Sequence, residues 1–194
     1  RELWRNTEPG YAIEADLCTD GKRVYAGCWD RMVYAVDLAT GALVWKSPSK
    51  GAEKEGGAAR YYSPGDSGPV VVGDRLFVPD RAYCLTVLEA ATGKQLLSED
   101  KCAAITAGPD GKHAYIRQSD GRVTKRAADG TVVWTEQVPT GYVPTPPTVA
   151  DGCVWMLSGL GTLSCIDDAT GQVAWQYKAF PDLYAFAAPA VAQG

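Results

Sequence analysis

A Thr-Gly pair followed four residues after the glycine by a large apolar residue recurs along this chain and constrains its fold more than any other feature. It reads Thr40-Gly41 with Trp45, Thr92-Gly93 with Leu97, and Thr170-Gly171 with Trp175. Asp129-Gly130 with Trp134 is a degenerate copy, and Trp4 fills the same slot without an upstream turn. The anchors Trp4, Trp45, Leu97, Trp134 and Trp175 are 41, 52, 37 and 41 residues apart. Ahead of the first turn, Val24 to Gly27 and Met32 to Asp37 alternate on a period of two about a break at Trp29-Asp30-Arg31, which predicts two strands and a turn. Thr40-Gly41 then supplies the positive φ of a second tight turn, and a further strand begins at Leu43. About four short strands per period in the forties predict an all-β chain, a β-propeller segment of four-stranded antiparallel blades.

The period sets the organisation. Residues 1–5 are expected as the outer strand of a preceding blade, followed by blades at 11–46, 63–99, 102–136 and 142–177, and by the inner strand of a next blade at 186–194. The long second spacing comes from a Gly-, Ala- and charge-rich stretch around residues 50–60, which reads as a surface loop. The chain opens inside a repeat and ends inside another, as a piece of a longer protein would. Unpaired strand edges are a liability in soluble proteins, so the remainder of the propeller or another chain is expected to close the ring.

Composition narrows the function classes. With 19 basic against 23 acidic residues and no basic run, the chain lacks the concentrated positive face that nucleic acid requires. No apolar stretch is long enough to cross a membrane. The single histidine, His113, and the absence of any C-x-x-C spacing argue against a zinc site. His113 reads as a surface residue at a strand edge. The six cysteines, at 18, 28, 84, 102, 153 and 165, read mostly as small buried apolar residues, with none clearly opposite another. Gly159-Leu160-Gly161 is no dinucleotide fingerprint, because it joins two strands where a helix would have to follow.

The copies Val33 to Trp45 and Leu163 to Trp175, apolar-x-x-x-Asp-x-x-Thr-Gly-x-x-x-Trp, resemble the repeat of the pyrroloquinoline-quinone-like (quinoprotein-type) β-propellers. That family includes dehydrogenases, scaffolding proteins and sensor domains, so the likeness speaks to fold before function. It implies a bacterial, extracytoplasmic protein, periplasmic or secreted. Its dehydrogenases hold their cofactor, PQQ with calcium, by adjacent cysteines and a stacking Trp, and no Cys-Cys pair occurs here. A narrower likeness, at Tyr62 to Val72, Phe77 to Tyr83 and Gly108 to Arg117, is to a propeller fused to calcineurin-like metallophosphatases, whose own metal ligands this chain lacks. The expected function is therefore a non-catalytic binding or scaffolding module of a larger protein, with no cofactor. A fragment of a quinone-dependent dehydrogenase and an accessory propeller beside a phosphatase are the alternatives.

In such a fold the loop between the second and third strands shares a face with the connection between blades, opposite the Thr-Gly turns. That face is expected to gather Trp29, Asp30, Arg31, Arg60, Tyr61, Tyr62, Asp80, Arg81, Arg117, Asp120, Tyr142 and the stretch from Phe180 to Phe186, and to receive a protein or small-molecule ligand. Arg with Tyr or Trp is a common recognition pairing, offering large contact area with a polar tip. The same residues also suit turns and blade packing. Glu14 and Asp16, placed in an innermost strand, would face the channel and meet a cation or a ligand hydroxyl, or else cap backbone amides. The aromatic anchors are expected as inter-blade core, and Asp167 as a hydrogen-bond partner of the turn before Thr170-Gly171.

Overall fold

The computed structural model describes residues 1–53, 59–139, 141, 145–178 and 187–192. The chain divides into two compact units, Arg1–Asp100 and Lys101–Gly194. Each contains two sheets of four antiparallel strands. In the first unit Cys18–Thr19 (β1), Arg23–Gly27 (β2), Met32–Asp37 (β3) and Leu43–Pro48 (β4) form one sheet in chain order. Val70–Val72 (β5), Arg75–Pro79 (β6), Cys84–Glu89 (β7) and Gln95–Asp100 (β8) form the other. The second unit repeats the plan with Cys102–Ala107 (β9), His113–Gln118 (β10), Arg122–Ala127 (β11) and Val132–Gln137 (β12). Its other sheet is Thr148–Ala150 (β13), Cys153–Leu157 (β14), Thr162–Asp167 (β15) and Val173–Lys178 (β16).

The strands form where the alternation predicts, because each middle strand buries one set of side chains against the neighbouring sheet of its unit. In the first unit Tyr25, Val33, Ala35 and Trp45 pack with Leu76, Val78, Leu88 and Ala90. In the second, Tyr115, Val123 and Val138 pack with Val154, Met156 and Ile166, joined by the half-buried Trp134. All four sheets share one irregularity: the register between third and fourth strand slips near the turn, at Ala35/Val36, Val87/Leu88, Lys125/Arg126 and Cys165/Ile166. A bulge at a fixed place re-aims the residues beyond it, here the segment that carries the aromatic anchor.

Residues 1–17 join no ladder. Trp4 nevertheless sits in the anchor slot, its indole N–H donating to the Leu38 carbonyl at 3.0 Å. Glu14 and Asp16 precede β1 and are exposed, where an innermost strand was expected. Of the stretch expected as a final inner strand, residues 187–192 form no ladder and the others lie outside the described residues, as do Tyr142 and 180–186. The connection between the first two sheets contains short 3-10 turns at Lys50–Glu53 and Ala59–Tyr62.

Four cysteines are buried and Cys18 and Cys153 are half-buried, all as free thiols. Burial pushes the Cys18 thiol up to about 12. No cysteine lies directly opposite another in a described ladder, but Cys153 and Cys165 are diagonal neighbours on β14 and β15. Burial pushes the Cys165 thiol up to about 11, and its hydrogen bond with Cys153 adds to the shift.

Candidate functional site

The two ends of the blades are built differently. At the turn end, Asp37 Oδ1 accepts from the Thr40 N–H and hydroxyl, both at 2.8 Å, and the Gly41 N–H closes the turn on the Asp37 carbonyl. Asp167 treats Thr170 and Gly171 in the same way, as the sequence predicts. Each of three turns covers an indole. Trp4, Trp45 and Trp134 donate to the carbonyls of Leu38, Ala90 and Asp168, each the residue just past a third strand, at 3.0, 3.0 and 2.9 Å. A Cβ at Gly41, Gly93 or Gly171 would lie 2.4, 2.6 and 2.6 Å from the ring it covers, so the glycine is needed for close approach as well as for its positive φ.

The second unit reinforces this lock with charge. Asp168 Oδ1 accepts from the Tyr115 hydroxyl at 2.6 Å and from Lys125 Nζ at 2.8 Å. In the first unit Ala90 stands in the same place, and the Tyr25 hydroxyl lies 3.0 Å from its carbonyl and 2.9 Å from the carboxylate of Asp20, which pairs with Arg23.

At the loop end several candidates prove to be architectural. Asp80 is buried; its Oδ2 accepts from the Gly51 N–H at 2.7 Å and its Oδ1 from the N–H groups of Ala82 and Cys84. Asp30 accepts from the Gly10 N–H at 2.8 Å, the Met32 N–H at 3.0 Å and the Tyr34 hydroxyl at 2.6 Å. Partial burial works to raise the Asp30 pKa, but the bonds from Tyr34, Gly10 and Met32 outweigh it and hold the carboxyl below its ordinary range. Gly10 and Gly51 each follow an anchoring Trp by six residues. In each sheet of the first unit one carboxylate thus ties down the incoming segment at this end. Arg31 takes φ 75° in its turn, and its carbonyl accepts from the Ser49 N–H.

Arg117 is also removed from the expected face. It is buried within the second unit, where its guanidinium donates to the Thr145 carbonyl at 2.9 Å and hydroxyl at 2.6 Å. Burial pushes its pKa down to about 10. Asp120 is bound by Arg122 at 2.7 Å and Lys101 at 3.1 Å, and these hydrogen bonds, Arg122 foremost, hold its carboxyl well below the usual range. His113 opens β10 and bonds Asp110 at 2.7 Å.

What remains at the loop end of the first unit is a compact aromatic cluster around one cation. The Arg81 guanidinium carbon lies 4.3 Å from the centroid of the Tyr61 ring and 5.5 Å from that of Trp29. Asp66, absent from the predicted set, receives Arg81 Nε at 3.3 Å. Tyr61 meets Tyr62 edge to face at 5.7 Å. The indole of Trp29 lies over Gly65, where a Cβ would approach it to 2.6 Å, and the Trp29 carbonyl accepts from the Ser63 hydroxyl. The Trp29 indole N–H has no hydrogen-bond partner among the described residues. Glu14 lies alongside, its N–H donating to the Gly65 carbonyl at 2.8 Å. Arg60 lies in the 3-10 turn that presents Tyr61; its side chain lies outside the described residues. The Pro64-Gly65-Asp66-Ser67-Gly68 turn was the one sequence signal for Asp66, and it identifies a bend without identifying a partner.

Among the described residues no group of three or more His, Cys, Asp and Glu side chains is placed to hold a metal ion. The chain has no adjacent cysteines of the kind that hold the quinone cofactor in the dehydrogenases, and Asp30 and Asp80 are committed to backbone amides.

Four-stranded antiparallel sheets, with Trp4, Trp45 and Trp134 each lying beneath a Thr-Gly turn of the sheet that follows, define a segment of a β-propeller. A family model described as outer membrane protein assembly factor BamB matches residues 29–140 and 97–193, and the chain belongs to that family. The extracytoplasmic location expected from the repeat goes with this membership. The Yersinia pestis outer membrane protein assembly factor BamB is 29% identical over 133 residues, covering 61% of this chain and 33% of the relative. The protein of the same description from Burkholderia pseudomallei is 28% identical over 114 residues, covering 57% and 29%. The chain spans about a third of the length of these relatives. Among solved structures, BamB from Moraxella catarrhalis superposes with a TM-score of 0.67 at 22% identity, over 90% of this chain and 52% of that one. Quinohemoprotein alcohol dehydrogenase from Comamonas testosteroni gives 0.70 at 14% identity, over 87% and 36%. At such identities these two likenesses concern the fold alone. None of these relatives is described as a metallophosphatase.

Proposed function

We propose that this chain is a non-catalytic scaffolding segment of an outer-membrane assembly factor, and that it docks a partner protein on the loop end of its first two sheets. The observation that carries the reading is the cluster of Arg81, Trp29 and Tyr61. Among the described residues it is the place at that end where large aromatic surface and a partly exposed cation are presented together, while Asp30 and Asp80 are occupied by backbone amides. Such groupings supply most of the energy of protein interfaces. The relatives' description as outer membrane protein assembly factors supports a partner from the same assembly process. Trp175 supports a second contact. It is 44% exposed where Trp45 is 8%, and a further Thr-Gly turn, from a longer chain or from another protein, fits over it as Gly171 fits over Trp134.

A photo-crosslinking amino acid placed at position 61, and at the exposed Leu96 as control, tests the docking face in the native bacterium. An adduct with an outer-membrane assembly component that forms from position 61 and not from 96 is expected. Adducts that form equally from both positions, or from 96 alone, would refute the reading.

A further inference from the structure

We infer that the Arg81 cluster reads a carboxylate on the partner, an Asp or Glu side chain flanked by an apolar residue. This inference rests on the docking face proposed above. The argument is one of unmet donors. Asp66 takes the Nε side of the guanidinium at 3.3 Å and the Tyr61 ring covers one face of it at 4.3 Å. The two terminal nitrogens are left without a bond to any other described residue, and the side chain is 36% exposed. The Trp29 indole, 5.5 Å from the guanidinium carbon, backs the cation from within; its own N–H is buried and turned away from solvent. A planar guanidinium fixed on its Nε edge presents the other edge as a fork of two donors that matches carboxylate geometry.

Charge separates a carboxylate from a phosphate. Asp66 already compensates part of the Arg81 charge, and Glu14 sits on the segment bonded to Gly65, next to Asp66. A dianion would meet these carboxylates with more repulsion than a single negative charge. The exposed ring of Tyr61, 53% accessible, provides the surface on which the flanking apolar residue rests. The loops at the corresponding end of the second unit, residues 119–121 and 158–161, contain no aromatic residue.

The full chain, panned against displayed random twelve-residue peptides carrying no free C-terminus, tests the inference. Binders lost on Tyr61→Ala are expected to share an Asp or Glu beside an apolar residue. Changing that residue to Asn or Gln should weaken binding about tenfold, the worth of a charge-assisted hydrogen bond. The same change should cost nothing further in Arg81→Gln, while Arg81→Lys should recover only part of the affinity because it lacks the fork. Competition by succinate with the affinity of the peptides would assign the site to a small free acid and overturn the protein-borne carboxylate. Tyr61-dependent binders without an acidic residue would overturn carboxylate reading and leave the docking face intact. An absence of Tyr61-dependent binders would overturn both.

Discussion

The turn end and the loop end of the same blades obey different rules. At the turn end three indoles make one hydrogen bond to one kind of carbonyl under one kind of glycine. The indole N–H groups of Trp4, Trp45 and Trp134 are all satisfied there, and among the anchors only Trp175 is left half-exposed. At the loop end the backbone is secured by Asp30 and Asp80, while the side chains around them differ from sheet to sheet and include unmet donors. Repetition marks what holds the fold, and departure from repetition marks what is available for recognition.

Truncating the lock should break the comparison most strongly. Trp45→Ala removes a buried indole and its bond to Ala90, and should cost about 4 kcal/mol in urea unfolding. Trp175→Ala, at a half-exposed copy of the same slot, should cost only about 1 kcal/mol. Equal costs would mean that the buried slot contributes nothing special.

Gly93→Ala comes next, at about 3 kcal/mol, because φ of 73° strains an L residue and the added Cβ meets Trp45 at 2.6 Å. Gly111→Ala sharpens the point. Its φ is 64° with nothing within 4 Å of the added atom, so only the backbone strain of about 1 kcal/mol should appear. The difference between the two measures the packing of the lock separately from its turn geometry.

At the loop end, acid titration isolates the carboxylate tie. Asp30 has its folded pKa below the unfolded value, so the unfolded chain binds the proton more tightly. Its stabilisation is complete above the unfolded value of about 4 and is lost as pH falls through the lower folded value. Asp30→Asn should therefore be less stable than wild type at neutral pH, and the gap should close below about pH 4. A gap independent of pH would assign the loss to packing. Arg81→Ala should have the smallest effect on folding, about 1 kcal/mol or less, while removing the binding proposed for the loop end.

Much of the fold was legible because burial acts on a fixed period. The alternation of Val24 to Gly27 and Met32 to Asp37 places one set of side chains on the core face, so the strands could be located before any contact was known. The candidate site was legible only in part. Asp80 looks like a ligand-facing residue because an Asp-Arg pair in a loop has the same letters whether its carboxylate meets solvent or a buried Gly51 N–H. Arg117 looks like a surface cation until its burial against Thr145 is seen. Asp66 carried no signal beyond a turn, since its meaning comes from Arg81, fifteen residues away.

Period, turn chemistry and the aromatic anchors are local properties, each fixed by residues within a few positions of one another, and the sequence by itself determined the strands, the Thr-Gly turns and the class of fold. Which carboxylates are occupied, which thiols meet and which cation keeps free donors depend on side chains brought together from distant segments. The spacing of Trp29, Tyr61, Asp66 and Arg81 in the chain encodes no distance among them, and only the tertiary structure placed them in one cluster.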